Sequence, residues 1–343
     1  MKNTEKILEV KDLRVSFKTP LGTTHAVRGV DFFLRRGEVL ALVGESGSGK
    51  SVSSRAIMRI LPEGASASGE VIFDGVNLLS LDERAMCRLR GGRIGMVFQD
   101  PTSSLNPTVK IGKQISEAVR LHRRELSKGE ARLRALSLMR EVGIGEAERR
   151  YEEYPFQFSG GMRQRIVIAI ALAADPELLI CDEPTTALDV TIEAQILGLI
   201  EGLVKSRGLS VIFITHDLGV VARIADRVAV MYAGKIVEYG ELDEIFYDPR
   251  HPYTWALFCS LPGQRGGRLS AIPGFVPTIG DGFAADAFAP RNEYSLAIDY
   301  EAMPPVFSVS ETHGVASWLL HPMAPRVEMP RALREKIEKE RDE

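Results

Sequence analysis

Apolar and polar residues alternate through the opening of the chain: Ile7, Leu8 and Val10, then Leu13, Val15 and Phe17, with charged or polar residues between the groups. Near period-two alternation predicts half-buried strand. Thr19-Pro20-Leu21-Gly22 is a turn signal, and residues 27–34 predict a second strand. The run Val39-Leu40-Ala41-Leu42-Val43 is wholly apolar, the pattern of a strand covered on both faces. A Gly/Ser-rich loop follows, then a helix over about residues 51–61. Residues 69–73 and 94–98 again predict strands. Between Pro107 and Tyr154 the period lengthens. Ile111, Ile115, Val119 and Leu121 form one helical stripe, and Leu133, Leu136, Leu138, Met139 and Val142 another, around a Lys/Arg/Glu-rich segment that predicts a solvated face. Strand character returns at residues 178–181 and 210–215, with a helix between them carrying Ile192, Ile196, Leu199, Ile200 and Leu203. The turns Tyr232-Ala233-Gly234-Lys235 and Tyr239-Gly240 predict a short closing hairpin. Strands alternating with helices predict a parallel α/β core, here with a helical insert over about residues 100–165.

After about His251, Pro and Gly become frequent and the amphipathic pattern fades, which predicts a separate C-terminal region. Residues 331–343 are dense in alternating charge and predict a solvated or frayed helix. The 343 residues are 45% hydrophobic and 26% charged, ordinary for a soluble globular chain. A formal net charge of -3 gives no basic field for nucleic acid, and none is expected as a partner. No apolar run reaches the roughly 18–20 residues needed to cross a bilayer. The N-terminus, with Lys2, Glu5, Lys6 and Glu9, has no apolar core and does not predict a signal peptide. Cys87, Cys181 and Cys259 lie far apart without metal-ligand spacing and are expected to be reduced packing residues. A soluble, cytoplasmic protein is the expectation.

Gly44-Glu45-Ser46-Gly47-Ser48-Gly49-Lys50-Ser51 fits the phosphate-loop pattern GxxxxGK[ST], between an apolar strand and a helix. The glycines let the backbone curl so that successive N–H groups face phosphate oxygens, and the following helix offers its positive end. Gly44, Ser46, Gly47, Ser48 and Gly49 are therefore candidate nucleotide contacts. Lys50 is expected to reach the β- and γ-phosphates, and the Ser51 hydroxyl to bind Mg²⁺. Residues 178–183 run from an apolar strand into two adjacent carboxylates. Asp182 suits the Mg²⁺ shell, which favours a few hard oxygens and retained water. Glu183 suits the polarisation of an attacking water.

Phe158-Ser159-Gly160-Gly161-Met162-Arg163-Gln164-Arg165 resembles the signature motif of ABC ATPases, usually LSGGQ, and precedes the Asp182-Glu183 strand at the family's separation. Met162 stands where glutamine is usual, while the Ser-Gly-Gly core remains. The resemblance implies that Ser159, Gly160 and Gly161 open a helix facing the γ-phosphate held by a partner subunit. Gln99 resembles the Q-loop glutamine, which contacts Mg²⁺ and reports nucleotide state. Ala187-Leu188-Asp189 resembles the D-loop, which places Asp189 with the nucleotide contacts. His216 resembles the switch histidine that touches the γ-phosphate. Phe17 sits where an aromatic residue stacks on adenine, the alternative being a core aromatic.

The resemblance covers about residues 5–260. Gln99-Asp100-Pro101-Thr102-Ser103-Ser104-Leu105-Asn106-Pro107, His251-Pro252-Tyr253-Thr254 and Leu261-Pro262-Gly263 resemble the oligopeptide/dipeptide/nickel importer branch. That branch often carries a C-terminal extension with four cysteines holding an iron–sulfur cluster. Asp286-Ala287-Phe288-Ala289-Pro290-Arg291-Asn292 resembles its C-x-F-x-P-R-C stretch. On this tracing the four positions are Asp286, Asn292, Asp299 and Ser317, expected in a solvated loop, and no cluster is expected.

The resemblance thus implies an α/β, RecA-like P-loop ATPase core with a β-rich N-terminal subdomain, a helical insert and a small C-terminal extension. The boundaries are residues 1–260 for the ATPase domain and 261–343 for the extension. It implies a peripheral subunit on the cytoplasmic face of the cell membrane. There it would use ATP and Mg²⁺ to power peptide import, or import of nickel or another small solute. Lys50, Ser51, Gln99, Asp182, Glu183 and His216 would act on one nucleotide, and Ser159 and Gly161 on that of the opposing subunit. Implied partners are a second, related ATPase chain in a heterodimer, two transmembrane permease subunits and an extracytoplasmic solute-binding protein. The rival class is a non-transport ABC ATPase. Those carry long coiled-coil or zinc insertions or tandem cassettes, none of which this sequence shows.

Overall fold

The structure, a computed structural model, describes residues 5–20, 22–186, 188–260 and 272–342. Its strands in chain order are β1 (Lys6–Thr19), β2 (Gly22–Arg35), β3 (Val39–Val43), β4 (Ala65–Phe73), β5 (Val76–Asn77), β6 (Ile94–Val97), β7 (Leu178–Asp182), β8 (Ser210–Thr215), β9 (Arg227–Tyr232), β10 (Lys235–Glu241), β11 (Phe307–Ser308) and β12 (Gly314–Val315). The chain forms two compact units. The first holds the described residues up to 8, then 34–39 and 73–214. The second holds residues 9–33, 40–72 and the described residues from 215 onward.

In the first unit β6, β7 and β8 pair in parallel, Ile94 against Leu178 and Leu178 against Ser210. Every residue of β7 and β8 is buried, as expected of strands built on the apolar runs 178–181 and 211–214. The helices Ile111–His122 and Lys128–Glu141 pack on each other and on Gly160–Ala171. The second of them opens with a capping box: Ser127 Oγ accepts from Glu130 N, and the Glu130 carboxylate accepts from Ser127 N. Ile111, Ile115 and Val119 are buried as expected, but Leu121 and Leu133 are 62% and 67% exposed. Leu121 lies two positions from Val119, and Leu133 two from the buried Ala131 and Ala135, about 200° round the helix, so each faces away. Arg36 and Arg93 alternate with Asp74 and Glu177 in a ring of ion pairs at 2.5–2.8 Å.

In the second unit β1 lies between β2 and β4, and a further set runs in the order β3, β9, β10, β12, β11. β3 and β9 are parallel, and β9 and β10 form the expected hairpin through Ala233 and Gly234, both at positive φ. β12 then pairs antiparallel with β10, Glu238 opposite Val315. The C-terminal region therefore extends this sheet. The helix Lys50–Ile57 stops short of the expected Leu61, because Met58 closes it and Arg59 turns to φ 51.

The helix Arg331–Asp342 departs from the solvated helix expected. Leu333 and Ile337, four apart on one face, are 2% and 8% exposed and join a core with Tyr232, Tyr253, Trp255, Phe258 and Phe288. Glu238 is fully buried and accepts from the backbone N–H groups of Arg250 at 2.6 Å and His251 at 3.1 Å, with His313 Nε2 at 2.8 Å. Of the cysteines expected to pack inside, one departs. Cys181 is buried in β7, and burial pushes its thiol pKa up, but Cys87 is exposed on the helix Glu83–Leu89. Among the described residues no helix is long and apolar enough to cross a membrane.

Candidate nucleotide site

The residues assigned to nucleotide chemistry fall in both units, and each set has its own local logic. In the second unit the loop after β3 turns at Gly44, φ 150, and Gly49, φ 106. A Cβ at Gly44 would stand 2.2 Å from Met231 O, and one at Gly49 2.6 Å from Ala26 O, so only glycine fits either corner. Ser46 and Gly47 are exposed at the tip, whereas Ser48 is fully buried and its carbonyl accepts from Gly234 N at 2.9 Å. Lys50 is 4% exposed. Its Nζ donates to Gly44 O at 2.7 Å, Glu45 O at 2.9 Å and Ser48 Oγ at 3.3 Å, which draws the loop around one cation. Ser51 follows in the first turn of the helix.

Phe17 lies half-buried in β1, a placement compatible with either reading of it. His216 is exposed between Thr215 and Asp217. Thr215 Oγ1 accepts from Asp217 N, and Asp217 Oδ1 accepts from Gly219 N to start the helix Leu218–Ile224, so the histidine's backbone is fixed on both sides.

In the first unit Asp182 ends β7 and is 1% exposed. Glu183 is half-buried and adopts φ 48, a left-handed conformation uncommon for a side-chain-bearing residue and of the kind concentrated at functional sites. Its Oε2 accepts from Gln99 Nε2 at 2.9 Å and from Thr186 Oγ1 at 2.9 Å, and its own N–H donates to Ile214 O. The structure thus brings Gln99 and Glu183 together. It adds Thr186, which sequence reasoning missed; its position three residues beyond Glu183 in Glu-Pro-Thr-Thr was the available signal. The Gln99–Pro107 stretch is a run of turn closures. Asp100 accepts from the N–H groups of Thr102 and Ser103, which lowers its pKa, and Asn106 and Gln114 bond reciprocally.

Ser159 caps the helix Gly160–Ala171 by accepting from Met162 N. Asp189 likewise caps Val190–Arg207 through Ile192 N at 2.9 Å; Ala187 lies outside the described residues, as do residues 261–263. The two signature glycines are not equivalent. Gly160 has room for a Cβ, 3.8 Å from Leu188 Cδ2, but a Cβ on Gly161 would stand 2.3 Å from Ile192 Cγ2. Gly161→Ala is therefore expected to lower stability by about 1–3 kcal/mol through overpacking. Chemical denaturation would check this, and Ile192→Ala in the same chain should recover most of the loss.

At the four traced cluster positions, Asp286, Asp299 and Ser317 are 9%, 3% and 4% exposed, so the solvated loop expected is a buried one. Each side chain accepts from a nearby backbone N–H: Asp286 from Phe288, Asn292 from Tyr294, Asp299 from Leu296 and Ser317 from Leu319. These oxygens close local turns and supply no thiolate, and the set does not fit an iron–sulfur cluster.

The ABC transporter family profile matches residues 27–186, and that of the oligopeptide/dipeptide transporter C-terminal region matches residues 237–298. The chain is 57% identical to the oligopeptide transport ATP-binding protein OppD of Bacillus subtilis (strain 168), over 97% of this chain and 94% of that protein. It is 55% identical to the dipeptide transport ATP-binding protein DppD of Lactococcus lactis subsp. cremoris (strain MG1363), over 94% of this chain and 93% of that protein. Among solved structures, the dimeric post-hydrolysis state of the ATP-binding cassette MJ0796 bound to ADP and Pi superposes with a TM-score of 0.62 at 29% identity, covering 68% of this chain and 98% of that chain.

Proposed function

The chain belongs to the ATP-binding subunits of ABC transporters, on the oligopeptide/dipeptide branch, and from that membership we propose that it hydrolyses ATP to power import of peptides across a membrane. The observation that carries the proposal is the phosphate loop, closed around Lys50 Nζ with glycine forced at both corners. The Lys50 ammonium is held by backbone carbonyls that it can exchange for phosphate oxygens. The loop N–H groups and the start of the helix Lys50–Ile57 supply further positive potential.

Ser51, Asp182 and Gln99 are the proposed holders of Mg²⁺. A hydroxyl, one buried carboxylate and an amide oxygen suit a hard cation that takes few protein ligands, and among the described residues no cluster of three acidic, His or Cys side chains competes for it. Bound there, the ion would neutralise charge on the phosphate oxygens. Glu183, aimed by Gln99 and Thr186, polarises the attacking water, with His216 at the γ-phosphate. Phe17 is assigned to the adenine, and Ser159, Gly160, Gly161 and Asp189 to nucleotide held with an opposing subunit.

Each site then needs two chains. We assign as partners a second ATPase subunit, two permease subunits and an extracytoplasmic solute-binding protein, with residues 1–260 as the ATPase domain at the cytoplasmic face and 261–343 as the extension. A tagged pull-down from detergent-solubilised native membranes tests this. Two polytopic permeases and a second ATPase are expected. Recovery of a nickel-binding or other solute-binding protein would replace the peptide cargo. Recovery of only ribosomal or DNA-associated proteins would defeat the transport assignment.

A further inference from the structure

Two motifs of the C-terminal half, His251-Pro252-Tyr253-Thr254 and Phe288-Ala289-Pro290-Arg291, take no part in the chemistry above, yet both end on one residue of the phosphate loop. His251 Nδ1 accepts from Tyr253 N at 3.0 Å and caps the helix Pro252–Cys259, whose proline stands at its first position. That cap sets Tyr253 into a cluster with Tyr232 and Phe288, ring centroids 4.6–5.2 Å apart. From there the Tyr253 hydroxyl accepts from Glu45 N at 2.8 Å. Phe288 in turn positions the short turn that carries Arg291. The Arg291 guanidinium forks onto the Glu45 carboxylate, Nη1 to Oε2 at 2.7 Å and Nη2 to Oε1 at 2.9 Å. Its remaining donors reach Tyr232 Oη at 3.1 Å and Pro273 O at 2.6 Å, so the fork is held from behind. Its side chain is 6% exposed.

Glu45 is the second residue of the loop, where an anionic side chain opposes the binding of phosphate. The fork both neutralises that carboxylate and fixes the loop's first turn. We propose that Arg291, with Tyr253, is a positioning residue for the phosphate loop, so that the C-terminal region sets the affinity of the chain for nucleotide. The proposal rests on the phosphate-loop reading above and adds a site of control to it.

Calorimetric titration of the full-length chain with MgATP tests the proposal. Arg291→Met should raise Kd about tenfold, the size expected for a lost charge-assisted pair, and the defect should shrink as salt rises. Adding Glu45→Gln to Arg291→Met should recover most of the affinity, because the exposed charge is then gone. A role in folding alone would predict equal weakening in the single and double variants. Unchanged binding by Arg291→Met, or no recovery in the double variant, overturns the proposal. Should Arg291→Met fail to fold, Arg291→Lys keeps one charge without the fork. An intermediate loss of about threefold supports the proposal, and wild-type affinity overturns it. Lys50→Ala separates the two readings: undiminished MgATP binding in that variant would sink the phosphate-loop assignment itself, and the Arg291 brace with it.

Discussion

Glu183→Gln is expected to lower steady-state ATP hydrolysis by about 100-fold or more while leaving the Kd for MgATP within about threefold. The two quantities separate because different parts of the chain carry them. Binding is assigned to the loop between β3 and the helix Lys50–Ile57, where Lys50 Nζ and the forced glycine corners form the proposed anion site. Glu183 is assigned to the attacking water and not to the nucleotide. Glutamine preserves the side-chain length and can still accept from Gln99 Nε2 and Thr186 Oγ1, which hold the carboxylate at 2.9 Å. What it loses is the negative charge that polarises the nucleophile. With ATP bound but not cleaved, the variant mixed with the proposed partner ATPase should accumulate as a nucleotide-loaded dimer, read as a shift in size-exclusion elution on adding ATP. Steady-state turnover equal to wild type would remove Glu183 from the role.

The parts of this site that a sequence can show are those written in adjacent residues. The phosphate loop is one unbroken octet, and β7 and β8 carry apolar runs at residues 178–181 and 211–214, so strand, loop and helix follow from local pattern alone. The left-handed turn at Glu183 and its Thr186 partner depend on the chain path beyond β7, which no periodicity records. The C-terminal region was least legible. β11 and β12 are two residues each, too short for an alternation to appear; β12 forms on the edge of β10, and β11 on that of β12. The terminal helix hides its docking stripe in two apolar residues, Leu333 and Ile337, among many charges. Asp286, Asp299 and Ser317 read as loop residues by type, and only the fold shows them buried. Arg291 and Glu45 are 246 residues apart, so the pairing that ties the extension to the nucleotide loop has no local signature. The short motif around Arg291 was visible as a resemblance, but its physical partner was not.

Asp286→Asn is expected to stabilise the chain at neutral pH and to have no effect near pH 4. Burial pushes the Asp286 carboxyl up to about 6; the Phe288 N–H bond draws it down, the charge of Asp299 adds to the rise and Arg28 opposes it. In the unfolded chain an aspartate titrates near 4. The folded state therefore holds its proton more tightly, and the associated stability is complete below about pH 4 and lost as pH rises through about 6. Two pH units correspond to about 2–3 kcal/mol of destabilisation at neutral pH. Asparagine can still accept from Phe288 N and carries no charge, so that penalty disappears. His251 titrates in the opposite sense. Burial holds its imidazole down to about 4, so the fold keeps it neutral and loses stability as pH falls from about 6.5 toward 4. In the wild-type chain the two slopes largely offset each other between pH 4 and 6. Removing Asp286 should expose the His251 slope, so that the variant's melting temperature falls on acidification more steeply than that of the wild type. Thermal melts of both chains from pH 4 to 8 measure this. The difference in melting temperature should be several degrees at pH 8 and close to zero at pH 4; a difference that is the same at every pH would show that Asp286 is not the titrating group.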